Sequence, residues 1–91
     1  MLGSDDPVDV PIADSLDLHS FLPRDVRSVV NEYLEVAHAR GFREVRLIHG
    51  RGIGVQRAIV QSLLSGHPRV ADFADAPEDR GAKGATVVRL R

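Results

Sequence analysis

The sequence predicts an α/β fold whose elements run β-α-β-α-β-β. Three observations point to it. Two segments with apolar residues at helical spacing alternate with short aliphatic runs, a glycine-rich turn joins the second run to the second helix, and two closing runs flank a polar connection. The first strand falls within Ile12 to His19, where Leu16 and Leu18 point one way and Asp17 and His19 the other, because side chains alternate across a strand. Pro23 opens a helix carrying Val26, Val29, Val30, Tyr33, Leu34 and Ala37 on one face, and Gly41 closes it. Glu44 to His49 is the second strand. A second helix runs from about Val55 to Ser65 and stops at Gly66 and Pro68. Val70 to Ala76 and Ala85 to Leu90 are the last two strands, joined by the polar stretch from Pro77 to Gly84.

A chain of 91 residues, 43% hydrophobic, can bury one core, so a single domain is expected over residues 12–91. Residues 1–11, with two prolines, a glycine and three aspartates, read as a flexible acidic lead-in. Without cysteine there is neither a disulfide framework nor a thiolate zinc site. No apolar run approaches the roughly 18 residues of a membrane span, and the acidic start lacks the apolar segment of a signal peptide. These features lead to the expectation of a cytoplasmic protein with no membrane partner, for which a monomer is the simplest state. The net charge is −1, but five aspartates and no base lie in residues 1–17, leaving 12 basic against 8 acidic residues beyond them. A mildly basic folded part is compatible with a nucleic-acid partner held by a local patch rather than by a global field.

The chemistry concentrates in His49-Gly50-Arg51-Gly52-Ile53-Gly54. Glycine reaches positive φ without steric penalty, so alternate glycines before a helix N-terminus let backbone N–H groups converge on an anion such as phosphate. Arg51 in the turn and Arg57 in the first helical turn add guanidinium groups suited to bidentate phosphate contacts. The pattern is G-x-G-x-G, not the dinucleotide G-x-G-x-x-G, and 91 residues are few for two mononucleotide-binding halves, although Asp72 lies twenty residues after Gly52. No P-loop signature occurs. The plain alternative is a tight connection whose glycines only relieve backbone strain. Two strands joined through a helix pair in parallel, which places His19 and His49 at the strand ends on the edge where open α/β sheets usually bind ligands.

These segments carry a resemblance. Ser15-Leu16-Asp17-Leu18-His19-Ser20 resembles the L-D-L-H-G box of the Smr (small MutS-related) domain, with Ser20 in place of glycine. Ile48 to Gly54 resembles its H-G-[KR]-G-x-G box, and Gly84 to Leu90 its closing G-x-T-x-V segment. The L-D-L-H form is similar to stand-alone short Smr proteins, whereas bacterial MutS paralogues commonly carry arginine at the position of His19. The resemblance implies a two-layer βαβαββ sandwich with a four-stranded mixed sheet and two helices, nucleic-acid binding and, in several members, endonuclease activity that nicks DNA or cleaves RNA. It nominates Asp17, His19 and His49 as catalytic residues. The chemistry of the glycine turn makes Gly50, Arg51, Gly52, Gly54 and Arg57 the candidates for phosphate binding, and Lys83, with Arg80 in the same last loop, either touches a neighbouring phosphate or belongs to a solvated loop.

Phosphodiester cleavage needs a base, neutralisation of charge on the phosphate and a proton for the leaving oxygen. His19 or His49 would supply the base or acid, with Asp17 orienting an imidazole or holding a divalent ion such as Mg2+ or Mn2+. The sequence places no further carboxylate obviously on that edge, so metal use is expected to be light or nil. The other function the sequence allows is a non-catalytic module gripping branched or single-stranded nucleic acid. Three Phe, one Tyr and no Trp, most at core-facing positions, favour backbone contacts over base stacking and hence sequence-tolerant recognition.

Overall fold

A computed structural model describes residues 12–50, 55–80 and 84–91. The expected lead-in over residues 1–11, the turn residues Arg51, Gly52 and Gly54, and Lys83 lie outside the described residues. The elements are β1 (Ser15–Asp17), α1 (Pro23–Ala39), β2 (Glu44–Ile48), α2 (Val55–Leu64), β3 (Val70–Asp75) and β4 (Ala85–Leu90), with a short 3-10 turn at Glu78–Arg80. The polar connection before β4 thus holds a turn of helix that the sequence reading had not anticipated.

The strands lie in the order β1-β2-β4-β3. β1 and β2 are parallel, as a strand-helix-strand unit requires, while β4 runs antiparallel to both of its neighbours. The α/β architecture with a four-stranded mixed sheet and two helices is therefore as expected.

Alternation along each strand sorts the residues onto two faces. Val45 and Leu47 of β2, with Val88 and Leu90 of β4, are buried against Val26, Val30, Leu34 and Ala37 of α1 and Val60 and Leu64 of α2. The register sets Val45 beside Val88 and Leu47 beside Thr86, so Thr86 belongs to the same helix-facing side. Arg46, Val87 and Arg89 lie on the opposite face, which no described helix covers, and there Arg89 pairs with Asp72 of β3 at 2.6 Å.

The apolar stripe of α1 is the expected one: Val26, Val30, Tyr33, Leu34 and Ala37 are buried, and Val29 packs beside them. The helix ends in a Schellman closure. Gly41 N–H donates to the His38 carbonyl and Phe42 N–H to the Ala37 carbonyl, both at 3.0 Å, and Gly41 takes a φ of +86° that favours glycine. Tyr33 fixes the entry to β1, its hydroxyl donating to the Ala13 carbonyl at 2.7 Å. Burial, with the Asp14 charge second, pushes that phenol up to about 12.

β1 is shorter than the stretch Ile12 to His19 that contains it. Leu18 still donates its N–H to the Ile48 carbonyl at 2.7 Å, but Phe21 N–H then bonds the Leu18 carbonyl at 3.0 Å and turns the chain away. His19 and Ser20 are the corner residues of that turn, so His19 sits just past the strand rather than in it.

Candidate active site

The parallel strands β1 and β2 end side by side, with Asp17 opposite Ile48. Asp17 lies on the uncovered face of the sheet, since its neighbours Leu16 and Leu18 pack into the core. One Asp17 oxygen, Oδ1, accepts both the backbone N–H of His19 at 3.0 Å and the ring Nδ1 of His19 at 2.6 Å. A carboxylate can only accept, so Nδ1 holds the proton and Nε2 is the nitrogen left to take one from a substrate. The pair faces solvent, its side chains 75% exposed for His19 and 50% for Asp17. The His19 backbone amide, the His19 ring and its charge hold the Asp17 carboxyl below its ordinary value of 3.8. Asp17 is thus an anion at neutral pH.

His49 is placed differently. It ends the same strand edge, but its residue exposure is 6% and its ring points into the helix-facing layer. Nδ1 contacts the Gly50 carbonyl at 3.1 Å, and Nε2 contacts Thr86 Oγ1 at 2.9 Å. A carbonyl accepts, so Nδ1 is the protonated nitrogen and Thr86 donates to Nε2. Burial is the main cause that pushes the His49 pKa down from 6.5; Arg57 acts in the same direction, against the Gly50 carbonyl and the Asp75 charge. The ring is therefore neutral at pH 7. The edge holds both imidazoles, on opposite faces: one beside Asp17 in solvent, the other among buried groups.

Arg57 lies in the first turn of α2, where its Nε and Nη2 grip Asp75 of β3 at 2.8 to 3.1 Å. Gln61, one turn on, reaches both Asp75 Oδ1 and Thr86 Oγ1 at 3.4 Å. A polar chain thus runs from Arg57 through Asp75, Gln61 and Thr86 to His49. Sequence reading nominated its two ends and missed Thr86, Gln61 and Asp75, because these contacts join strands and helix across 14 to 37 residues of chain.

Gly50 opens the glycine turn at a φ of +77°, with its N–H and that of His49 both bonded to the Gly84 carbonyl. A Cβ added there would meet nothing within 4 Å, so the cost of alanine is backbone strain alone. Gly50→Ala is expected to lower stability by about 1 kcal/mol, read by chemical denaturation. A neutral substitution would show that the turn relaxes without cost.

The Smr domain family model matches residues 16–91. The chain belongs to the Smr domain family. Its relatives include the endonuclease MutS2 of Solidesulfovibrio magneticus, 42% identical over 76 residues, and that of Thermus thermophilus, 40% identical over 76 residues. Each match covers 84% of this chain and 10% of the relative, so the chain spans about a tenth of the length of these proteins. Two solved structures share the fold. The crystal structure of the Smr domain of Thermus thermophilus MutS2 superposes with a TM-score of 0.83 at 38% identity, covering 87% of this chain and 99% of that one. The structure of YdaL, a stand-alone small MutS-related protein from Escherichia coli, gives 0.81 at 30% identity over 86% of this chain and 64% of that one. As an Smr domain, the chain is homologous to modules of proteins named as endonucleases.

Whether this Smr edge suits a resident metal is a question of donors. Among the described residues no three His, Asp or Glu side chains form a ligand group, and Asp17 Oδ1 is already engaged twice by His19. The described side chains therefore make up no ligand set for Mg2+ or Mn2+. Among the described residues no helix is long and apolar enough to cross a membrane.

Proposed function

We propose that this Smr domain binds nucleic acid and cleaves its phosphodiester backbone, with Asp17 and His19 as the catalytic pair. The observation that carries the reading is the 2.6 Å contact between His19 Nδ1 and Asp17 Oδ1 on an accessible surface. It fixes the tautomer in which Nε2 accepts a proton from an attacking hydroxyl, and the imidazolium so formed is stabilised by the adjacent carboxylate. The same imidazolium then protonates the leaving oxygen. Arg51, Gly52 and Gly54, with Lys83 in the loop before β4, supply the backbone amides and cations that neutralise charge on the phosphate, while the Gly50 amide, also expected to bind it, is held by the Gly84 carbonyl. Arg57 joins them by exchanging Asp75 for a phosphate or stays to hold α2 against β3; in this reading His49 positions the turn rather than moving protons.

The test is cleavage of end-labelled DNA and RNA of matched sequence, each with Mg2+, with Mn2+ and with EDTA. Cutting that survives EDTA is the expected result. Binding without cutting in every arm would leave a non-catalytic nucleic-acid module. Binding itself should weaken with salt, each phosphate-contacting cation adding roughly one unit to the logarithmic slope, so Arg51→Ala should flatten that slope by about one. An unchanged slope would remove Arg51 from the interface.

A further inference from the structure

Three of the four aromatic side chains are accounted for by packing: Tyr33 is buried, and Phe42 and Phe73 pack against the core. Phe21 is not. It is 36% exposed and lies two residues beyond His19, directly after the turn that carries the dyad. Leu22 beside it is 53% exposed. Leu22 is also the residue that caps α1, a position where Ser, Thr, Asp or Asn would bond the first free amides, and it makes no side-chain cap. Two local preferences are therefore set aside at one spot: solvation of large apolar groups and capping of a 17-residue helix. Departures of this kind concentrate where a surface serves binding.

The patch is held in place relative to the dyad. Gln56 of α2 donates from Nε2 to the Phe21 carbonyl at 3.0 Å, which ties the segment after the dyad to the helix that follows the glycine turn. Val55, the residue before Gln56, is 45% exposed and adds apolar surface at that helix end. Two peptide units separate His19 from Phe21, so their Cα atoms lie within about 7.6 Å. A base attached to the sugar next to a phosphate at His19 falls within that reach.

We propose that Phe21, flanked by Leu22 and Val55, is a stacking platform for one unpaired nucleobase beside the phosphate that meets His19. This rests on the reading of the Asp17–His19 edge as a nucleic-acid site and narrows it to single-stranded or locally unpaired substrates, since a base held in a duplex does not offer its face to a side chain. The low aromatic content still leaves most of the affinity to backbone contacts; the single exposed ring selects strandedness.

The absence of tryptophan in the chain makes the test direct, because Phe21→Trp introduces a sole indole reporter. Its emission should be quenched by a single-stranded oligonucleotide, and much less by an oligonucleotide of abasic sites or by a blunt duplex. Phe21→Ala should bind single strands about 10-fold more weakly, within the roughly 5- to 150-fold range of one stacked base, while duplex binding stays unchanged at a temperature where the variant is folded. Anisotropy of a labelled oligonucleotide runs in parallel. Binding seen by anisotropy with unquenched emission and full affinity of Phe21→Ala would overturn the platform alone. No binding of any oligonucleotide by the unsubstituted protein would overturn the nucleic-acid reading with it.

Discussion

His19→Ala should reduce phosphodiester cleavage by about 100- to 10,000-fold while leaving binding and folding close to unchanged. The magnitude is that of removing a general acid or base, far above the few-fold effect of one lost phosphate contact. The fold should survive because the His19 side chain is 75% exposed and its one described side-chain partner is the half-exposed Asp17. Asp17→Asn is expected to behave similarly for a different reason. An Asn Oδ1 in the same place still accepts both the backbone N–H and Nδ1 of His19, so the tautomer holds, but the negative charge that stabilises the imidazolium is gone. The dyad would keep its shape and lose the charge that makes Nε2 an effective base. Single-turnover cleavage against binding by anisotropy separates the two quantities, and His19→Ala cutting at the full rate would move catalysis elsewhere.

How far the sequence foretold this arrangement depends on the range of the interaction. The stripe of α1 was legible because Val26, Val30, Tyr33, Leu34 and Ala37 recur at the helical period, and β4 was legible as an aliphatic run with its limits at Ala85 and Leu90. Alternation along the first strand separated Asp17 and His19 from Leu16 and Leu18, as the structure has them. The same alternation carried along the second strand sets His49 with Val45 and Leu47, the two core residues, and was the available signal that its ring is buried. The Arg57–Asp75 grip had no local signal at all. It depends on β3 lying beside β4 rather than beside β2, which is a property of the whole sheet. Phe21 was hidden by composition: few aromatics suggested core positions, whereas its place between a turn and the proline that opens α1 sets it at the surface.

The two faces of the sheet edge have different demands. On the uncovered face, an exposed dyad gains from water access and from a fixed tautomer, and little folding energy rests on it. On the helix-facing side, His49 is a hub. Its ring meets Gly50 at the start of the glycine turn and Thr86 in the neighbouring strand, so the position of the turn depends on a buried polar group whose partners must all be in place.

His49→Ala should therefore fail in the opposite way to His19→Ala. Removing the ring leaves a void beside the core and deprives Thr86 Oγ1, itself at 0% residue exposure, of its 2.9 Å partner, leaving it only the 3.4 Å contact with Gln61. Cavity and unsatisfied hydroxyl together are expected to cost about 2–4 kcal/mol, lowering Tm by roughly 10–20 °C in a domain of this size. The pH dependence carries the same signature. With its folded pKa below the ordinary 6.5, His49 takes up a proton in the unfolded chain that the fold refuses, so its contribution is complete above that value and is lost as pH falls below it. Urea denaturation from pH 7.5 to 5 should show stability declining through that window, and the decline should shrink in His49→Ala. Thr86→Val should cost less in the His49→Ala background than alone, because the hydrogen bond it removes is already gone. If His49→Ala instead keeps its Tm and loses only cleavage, the ring belongs to the chemistry and the hub does not exist.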